Sequence, residues 1–133
     1  MIEDKICDIG KLLDKVGRLK EQGKSIVFTN GCFDILHYGH AKYLEDAKAL
    51  GDILVVAVNS DISVRMLKSK GRPIVDEKNR ARVIAALQAV DLVVLFEEDT
   101  PEKLIEKVAP DVLVKGGDWE EDAIAGAAFV KRN

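Results

Sequence analysis

Apolar residues along the chain fall into short continuous runs and into longer stretches with helical spacing. The runs lie at 26–28, 53–58, 92–96 and 112–114. Unbroken apolar runs of this length are typical of parallel strands covered on both faces of a sheet. With their flanking residues, they predict strands at 25–29, 52–59, 91–96 and 111–115.

Around these strands, apolar residues recur every three or four positions, which is typical of amphipathic helices. The predicted helices span 8–22, 41–50, about 62–68, 76–90 and 101–108, with a weaker helical pattern over 120–130. Asp8 suits the N-cap of the first helix and Gly23 suits its end. We expect this helix to pack at the edge of the sheet.

Strand and helix alternate four times in this interpretation. The alternation predicts an α/β protein with a Rossmann-like, doubly wound, mostly parallel sheet in a three-layer α/β/α arrangement. Ligands of such sheets bind outside the carboxyl ends of the strands. The polar turns after Thr29, Asn59, Phe96 and Lys115 should therefore share one ligand-binding edge.

Two histidines follow the first predicted strand, in the stretch TNGCFDILHYGH at 29–40. His37 and His40 are three residues apart at a helix start, so they can face a common point. A helix N-terminus suits an anion, because its backbone N–H groups are unpaired and its dipole adds positive charge. Gly39 lets a phosphate approach the backbone. The alternative is that both histidines lie on the surface or cap the helix.

Three later segments carry further candidate residues. The segment 68–73 has three positive charges with Gly and Pro, which indicates either a solvated basic loop or a phosphate contact. Arg80 and Arg82 lie near the start of the helix at 76–90, where a cation opposes the dipole, so one of them is expected to meet an anion. The Lys-Gly-Gly-Asp segment at 115–118 indicates backbone brought close to a ligand.

Length and charge narrow the function classes. A chain of 133 residues is long enough for one domain with a core. Its 20 Lys and Arg against 23 Asp and Glu give a formal charge of −3, which gives no electrostatic case for nucleic-acid binding. The apolar run at 53–58 is too short to span a membrane, and the acidic start is unlike a signal peptide. We therefore expect a cytoplasmic protein.

The sequence predicts neither a dedicated metal site nor a disulfide. Cys7 and Cys32 have no metal-ligand spacing and are interpreted as reduced thiols. Cys32 lies within the histidine turn, where a small buried residue is the simpler interpretation than a nucleophile. The acidic turn at 97–99 is interpreted as helix capping and solvated charge.

The stretch 29–40, with its His-x-Gly-His, resembles the nucleotidyltransferase superfamily in its cytidylyltransferase-like branch. It is more closely similar to the heptose 1-phosphate adenylyltransferases. That resemblance covers roughly residues 24–128 and rests also on VAVNSD at 56–61, LK at 67–68, RP at 72–73, FEEDTP at 96–101 and VKGGDW at 114–119. The glycerol-phosphate and ethanolamine-phosphate cytidylyltransferases share the frame but match the last two strings less well.

The resemblance implies transfer of AMP from ATP to a sugar 1-phosphate, with release of pyrophosphate and no covalent enzyme intermediate. The product would be ADP-heptose for lipopolysaccharide core synthesis. Mg²⁺ would accompany the triphosphate, bound through phosphate oxygens and water. A separate sugar kinase would act earlier in the pathway, and relatives of this kind are commonly homodimers.

Site roles are carried over from the family position by position. The catalytic residues implied are His37, His40, Lys42 and Arg80. The nucleotide-binding residues implied are Thr29, Asn30, Gly31, Phe33, Asp34, Gly39, Lys115, Gly116 and Asp118. The acceptor-binding residues implied are Asn59, Asp61, Lys68 and Arg72. The choice of Arg80 over Arg82 rests on its spacing to Asp91.

One departure from the family pattern affects the expected activity. Family members continue into a further strand and a Ser/Thr-rich turn that grips the nucleotide phosphates, whereas this sequence stops at Asn133. We therefore expect a single nucleotidyltransferase domain over 1–133 that lacks this segment and binds ATP weakly. The alternatives are a cytidylyltransferase acting on glycerol 3-phosphate or a similar alcohol phosphate, and a non-catalytic nucleotide-binding module.

Overall fold

The computed structural model describes residues 1–68, 71–98 and 100–115, and the backbone of 129–132. The strands are β1 (Ile6–Cys7), β2 (Ile26–Gly31), β3 (Ile53–Asn59), β4 (Leu92–Phe96), β5 (Val112–Lys115) and β6 (Phe129–Arg132). The helices are α1 (Ile9–Glu21), α2 (Tyr38–Lys48), α3 (Asp61–Leu67), α4 (Glu77–Ala85) and α5 (Glu102–Val108), after a 3-10 turn at Glu3–Lys5.

The described strands form a six-stranded sheet in the order β1-β4-β3-β2-β5-β6. The pairs from β1 to β5 are parallel, and β6 runs antiparallel to β5. This is the predicted mostly parallel, Rossmann-like α/β fold. The carboxyl ends of β2 and β3 lie side by side, with Gly31 paired to Val58. The turns that follow these two strands therefore lie together at the carboxyl end of the sheet.

Helices cover both faces of the sheet. Successive strand residues point to opposite sides, so neighbouring residues pack against different helical layers. On one face, Val27 packs in a buried cluster with Leu44 of α2 and Ile84 of α4. On the other, Phe28 packs in a second cluster with Leu12 of α1 and Leu104 of α5. These two cores give the three layers that the alternation of elements predicts.

The first helix and the N-terminal segment differ from the prediction. α1 buries Leu12 and Val16 against central-strand residues such as Phe28, so it lies on a face of the sheet rather than at its edge. The edge is formed instead by β1, which pairs with β4. At two residues, β1 is too short to show any periodicity in the sequence.

The helix boundaries and the last segment also differ. α2 begins at Tyr38 rather than at 41, and α4 ends at Ala85 rather than at 90. The weak helix predicted over 120–130 is wrong at its end, because Phe129–Arg132 is a strand paired with β5. Aromatic and β-branched residues favour strands, and this pairing covers the edge of β5.

Candidate functional site

The turn after β2 brings an aromatic ring against the backbone of the strand. β2 extends to Gly31, two residues beyond the predicted end, and Phe33 then adopts a left-handed conformation with φ of 49°. A Cβ on Gly31 would lie 2.9 Å from Cε2 of Phe33. Gly31 is therefore required by the buried Phe33 ring, which in turn meets His40 edge-on with ring centroids 5.7 Å apart.

The two histidines cap the start of α2 reciprocally. His37 is the N-cap, and its Nδ1 accepts a hydrogen bond from the Gly39 N–H at 2.9 Å. His40 lies at the third helical position, and its Nδ1 accepts from the His37 N–H at 3.2 Å. Both Nδ1 atoms therefore act as helix caps, as the capping interpretation predicts. His37 also fixes Gly39 through its amide. A neutral ring that accepts at Nδ1 carries its hydrogen on Nε2, so the donor of each histidine is its Nε2–H.

Burial keeps His40 uncharged. Its side chain is almost fully buried, whereas that of His37 is exposed, and the two ring centroids lie 4.0 Å apart. Burial, followed by the electrostatic effect of His37, lowers the pKa of His40 to about 4. At neutral pH His40 is consequently a neutral hydrogen-bond donor rather than a fixed positive charge.

Asp34 ties the segment 72–75 to the histidine turn. Its carboxylate accepts hydrogen bonds from the N–H groups of Ile74 and Val75, both at 2.8 Å, and forms an ion pair with Nε of Arg72. Burial alone would raise the pKa of Asp34, but these bonds from the two amides and Arg72 outweigh it, so the pKa is lowered. Asp34 therefore positions Arg72 beside the site.

Arg80 is a buried connector rather than a residue facing the cavities. It is 1% exposed, and its guanidinium donates to the carbonyls of Val75, Cys32 and Asn59 at 2.6–2.8 Å. The anion that the sequence led us to expect is Asp61, whose Oδ1 lies 2.7 Å from Nη2. These four bonds join three turns at the edge of the sheet, and this placement does not support direct contact between Arg80 and the reacting phosphates.

Thr29 and Asn59 are buried and form hydrogen bonds within the protein. Thr29 Oγ1 lies 2.5 Å from the hydroxyl of Tyr43, which donates to the Val114 carbonyl, and all three groups are buried. The Asn59 side chain donates to Ser63 Oγ at 2.7 Å and is also buried. Both therefore fix neighbouring elements. Asn30 lies half-buried at the end of β2.

Two further predicted residues, Lys42 and Lys115, are described by the structure. Lys42 lies on α2, where its Nζ is 3.0 Å from Asp46 and 3.6 Å from Glu45. Lys115 is exposed at the end of β5. Gly116 and Asp118 lie outside the described residues.

Two adjoining cavities lie beside the turns that follow β2 and β3. The smaller, of 230 Å³, is lined by Cys32, Phe33, Asp34, Ile35, His37, His40, Lys68 and Arg72. The larger, of 690 Å³, is lined by Asp61, Arg65, Lys68, Gly71, Arg72, Pro73, Ile74 and Asp76. Lys68 and Arg72 line both cavities, so these two residues of the segment interpreted as a possible phosphate contact form their junction.

Sequence reasoning missed several lining residues, Arg65 among them. Arg65 lies four residues after Asp61 on α3, and that spacing places both side chains on the same face of the helix. The spacing was therefore a usable signal. Cys32 and Ile35 line the smaller cavity because they lie in the turn between β2 and α2.

Two negative findings concern only the part of the chain that the structure describes. No three His, Cys, Asp or Glu side chains there are grouped closely enough to hold a metal ion. No helix within the same residues has the length and apolar content needed to cross a membrane.

The protein is an α/β domain in which a helix N-terminus follows a parallel strand, an arrangement that suits anions such as phosphate groups. Its sequence matches the cytidylyltransferase-like family over residues 28–130. The chain belongs to that family.

Named relatives narrow the comparison further. The chain is 58% identical over 127 residues to the bifunctional protein HldE of Helicobacter pylori strain Shi470, covering 96% of this chain and 27% of that protein. It is 53% identical over 128 residues to the protein of the same name from Methylobacillus flagellatus, covering 96% and 26%. The chain thus spans about a quarter of the length of these curated relatives.

A solved structure is also similar. The lipopolysaccharide core biosynthesis protein from Thermoplasma volcanium GSS1 matches with a TM-score of 0.63 and 41% identity. The match covers 68% of this chain and 73% of that one. The fold therefore agrees with that of a crystallographically determined relative.

Proposed function

We propose that this domain transfers AMP from ATP to a sugar 1-phosphate, heptose 1-phosphate, releasing pyrophosphate and giving ADP-heptose for lipopolysaccharide core synthesis. The high identity to proteins named HldE supports the choice of substrate. The observation that carries the proposal is the placement of His37 and His40 at the start of α2, where both line the smaller cavity together with Lys68 and Arg72.

The reaction needs charge stabilisation more than proton transfer. An ionised oxygen of the sugar phosphate attacks the α-phosphorus of ATP, a new P–O bond forms, and the bond to the bridging oxygen breaks as pyrophosphate leaves. Because the attacking oxygen carries no proton at neutral pH, no general base is required. The protein contributes by aligning two anions and stabilising the negative charge of the transition state.

The site residues divide this work between neutral donors and cations. His40, with its pKa lowered by burial, donates from Nε2–H nearest the reacting phosphorus, and His37 donates beside it. Lys68 and Arg72 supply positive charge at the junction of the two cavities, where the phosphates of donor and acceptor meet.

Cys32 fits a reaction without a covalent enzyme intermediate. Burial raises the pKa of its thiol, against the opposing effect of the cations Lys68 and Arg80. A thiol that stays protonated at neutral pH is a poor nucleophile. Cys32 therefore lines the cavity without taking part in bond formation.

The same proposal includes the cofactor and partners. Mg²⁺ would accompany ATP, bound mainly by triphosphate oxygens and water. When bound, Mg²⁺ would neutralise phosphate charge. Cytoplasmic location, a homodimer and a sugar kinase activity that supplies the phosphorylated acceptor complete the proposal.

The test is pyrophosphate release from a matrix of ATP or CTP against heptose 1-phosphate or glycerol 3-phosphate, with Mg²⁺ present. Release with ATP and heptose 1-phosphate alone is the expected result. Release with CTP and glycerol 3-phosphate would favour the cytidylyltransferase alternative. Nucleotide binding without release in any combination would favour the non-catalytic module.

A further inference from the structure

The two cavities are distinguished by the arginine that belongs to only one of them. Lys68 and Arg72 line both, the histidines line only the smaller, and Arg65 lines only the larger. If the phosphates meet at the shared cations, the larger cavity lies on the side away from the histidines. Arg65 is then placed to contact a part of the acceptor other than its reacting phosphate.

The larger cavity has the size and chemistry of a sugar site. Its 690 Å³ lies within the range of about 300–1,000 Å³ found for small-molecule pockets. Its lining combines the carboxylates of Asp61 and Asp76 with the guanidinium of Arg65, beside Pro73 and Ile74. Hydroxyl groups both donate and accept hydrogen bonds, so a lining with both kinds of partner suits a polyhydroxylated ligand.

The two carboxylates in this cavity already have hydrogen-bond partners within the protein. Asp61 accepts from the buried Arg80, and Asp76 accepts from the amide and side chain of Asn79 at the start of α4. Arg65, in contrast, forms no ion pair with any described residue. Its donors are therefore suited to a ligand.

We propose that Arg65 is a specificity-determining residue that binds the sugar hydroxyls of the acceptor, while Lys68 and Arg72 hold its phosphate. A guanidinium presents donors in a planar fork, which matches two neighbouring hydroxyl oxygens better than an ammonium does. The inference rests on the proposed sugar 1-phosphate acceptor. It explains how the site would prefer such an acceptor to a short alcohol phosphate.

Equilibrium binding separates the two contacts. Dissociation constants for heptose 1-phosphate, inorganic phosphate and ATP are measured by calorimetry on the whole chain and on three variants. R65A removes the proposed sugar contact, and K68A removes a cation of the junction. R18A is the matched control, because Arg18 is also an exposed arginine in the last turn of a helix, α1, but lies outside both cavities.

R65A is expected to weaken heptose 1-phosphate binding by about 10-fold, as for loss of a hydrogen bond to a charged group, with phosphate and ATP unchanged. K68A should weaken all three ligands, and R18A none. Unchanged heptose 1-phosphate binding in R65A would overturn the assignment of Arg65 alone. Equal weakening of phosphate and heptose 1-phosphate would overturn it as well, because Arg65 would then act only through its charge. Failure of the unaltered chain to bind heptose 1-phosphate would overturn the proposed acceptor, and with it this inference.

Discussion

The backbone N–H of His37 donates to Nδ1 of His40 across 3.2 Å, and the two ring centroids lie 4.0 Å apart. The same pair of residues therefore stabilises the helix start and presents donors at the cavity. These roles use different atoms, since capping occupies the Nδ1 atoms and the hydrogen that a ring can donate is then on Nε2. They can accordingly be separated by substitution.

His40→Gln should separate capping from catalysis. A glutamine at the third helical position can still reach the N-cap amide, as in a capping box, so the free energy of unfolding should change little. The glutamine side chain does not place a donor where the Nε2–H of His40 lies. We therefore expect kcat to fall by about 100-fold or more, as for loss of a donor that stabilises transition-state charge. Turnover by pyrophosphate release and unfolding by urea are measured together.

His40→Ala is the companion variant. It should lose the same turnover and, in addition, about 1 kcal/mol of stability, because the His37 amide loses its acceptor. ATP binding should persist in both variants. Turnover that survives in His40→Gln would show that His40 acts only as a cap.

Stability should depend on pH through His40. Its pKa is about 4 in the folded protein and about 6.5 in the unfolded chain, so between these values the unfolded chain binds a proton that the folded protein does not. The contribution of neutral His40 to the free energy of unfolding is complete above pH 6.5 and is lost as the pH falls towards 4. By pH 5 the loss amounts to about 2 kcal/mol. Urea unfolding between pH 7.5 and 5 should show this slope, and the slope should be smaller in His40→Gln. Equal slopes would contradict the lowered pKa.

Much of the fold follows from the sequence because its parallel strands are buried on both faces. The four apolar runs are continuous for that reason, and each corresponds to a strand of the sheet. β1 could not be found in this way, because a two-residue strand is defined by its pairing with β4 rather than by its own pattern. Phe129–Arg132 likewise becomes a strand through its pairing with β5.

The positions of candidate site residues could be predicted from the sequence where local geometry determines them. His37 and His40 lie on one helical turn, and their spacing alone brings them together. Arg80 is different, because its partners lie at the ends of β2 and β3 and in the turn before α4, and only the packed structure shows that it connects them. A basic residue near a phosphate-binding edge therefore resembles a ligand contact in sequence even when the protein itself uses its donors.

Arg80 should matter for stability far more than Arg82, although both lie on α4. Arg80→Lys loses the fork that serves three carbonyls and Asp61, so we expect about 3–5 kcal/mol of destabilisation, as when a buried ion pair is broken. Arg82→Lys alters an exposed pair with Glu3 and should cost less than about 1 kcal/mol. Urea unfolding of the two variants tests this difference. Similar losses would show that Arg80 is not the connector.

Asp34→Asn should loosen the segment 72–75. The amides of Ile74 and Val75 would lose their bonds to a carboxylate, and their hydrogen-exchange protection should fall by about 10-fold. Asp46→Asn is the control, since Asp46 pairs with Lys42 on the exposed side of α2. Exchange at both amides that is unchanged in Asp34→Asn would show that other contacts hold this segment.

Replacement of glycine by alanine should have opposite effects at two positions. In Gly31→Ala the new Cβ would lie 2.9 Å from Cε2 and 3.0 Å from Cζ of Phe33, whose ring is buried and held by a left-handed backbone. Overpacking of this kind costs about 1–3 kcal/mol. Because the Phe33 ring also lies edge-on to His40, displacing it should lower kcat as well as stability.

Gly17→Ala is the matched control for that substitution. Gly17 lies inside α1, and apart from the backbone of that helix and the two neighbouring residues no atom lies within 4 Å of the new Cβ. Alanine should therefore stabilise the protein by about 0.5–1 kcal/mol through its higher helix propensity. Turnover should not change, because α1 lies away from both cavities. Urea unfolding and pyrophosphate release on the two variants give the comparison. Unchanged stability and turnover in Gly31→Ala would mean that the Phe33 ring can move without consequence for His40. The ring would then have no part in holding His40 in place.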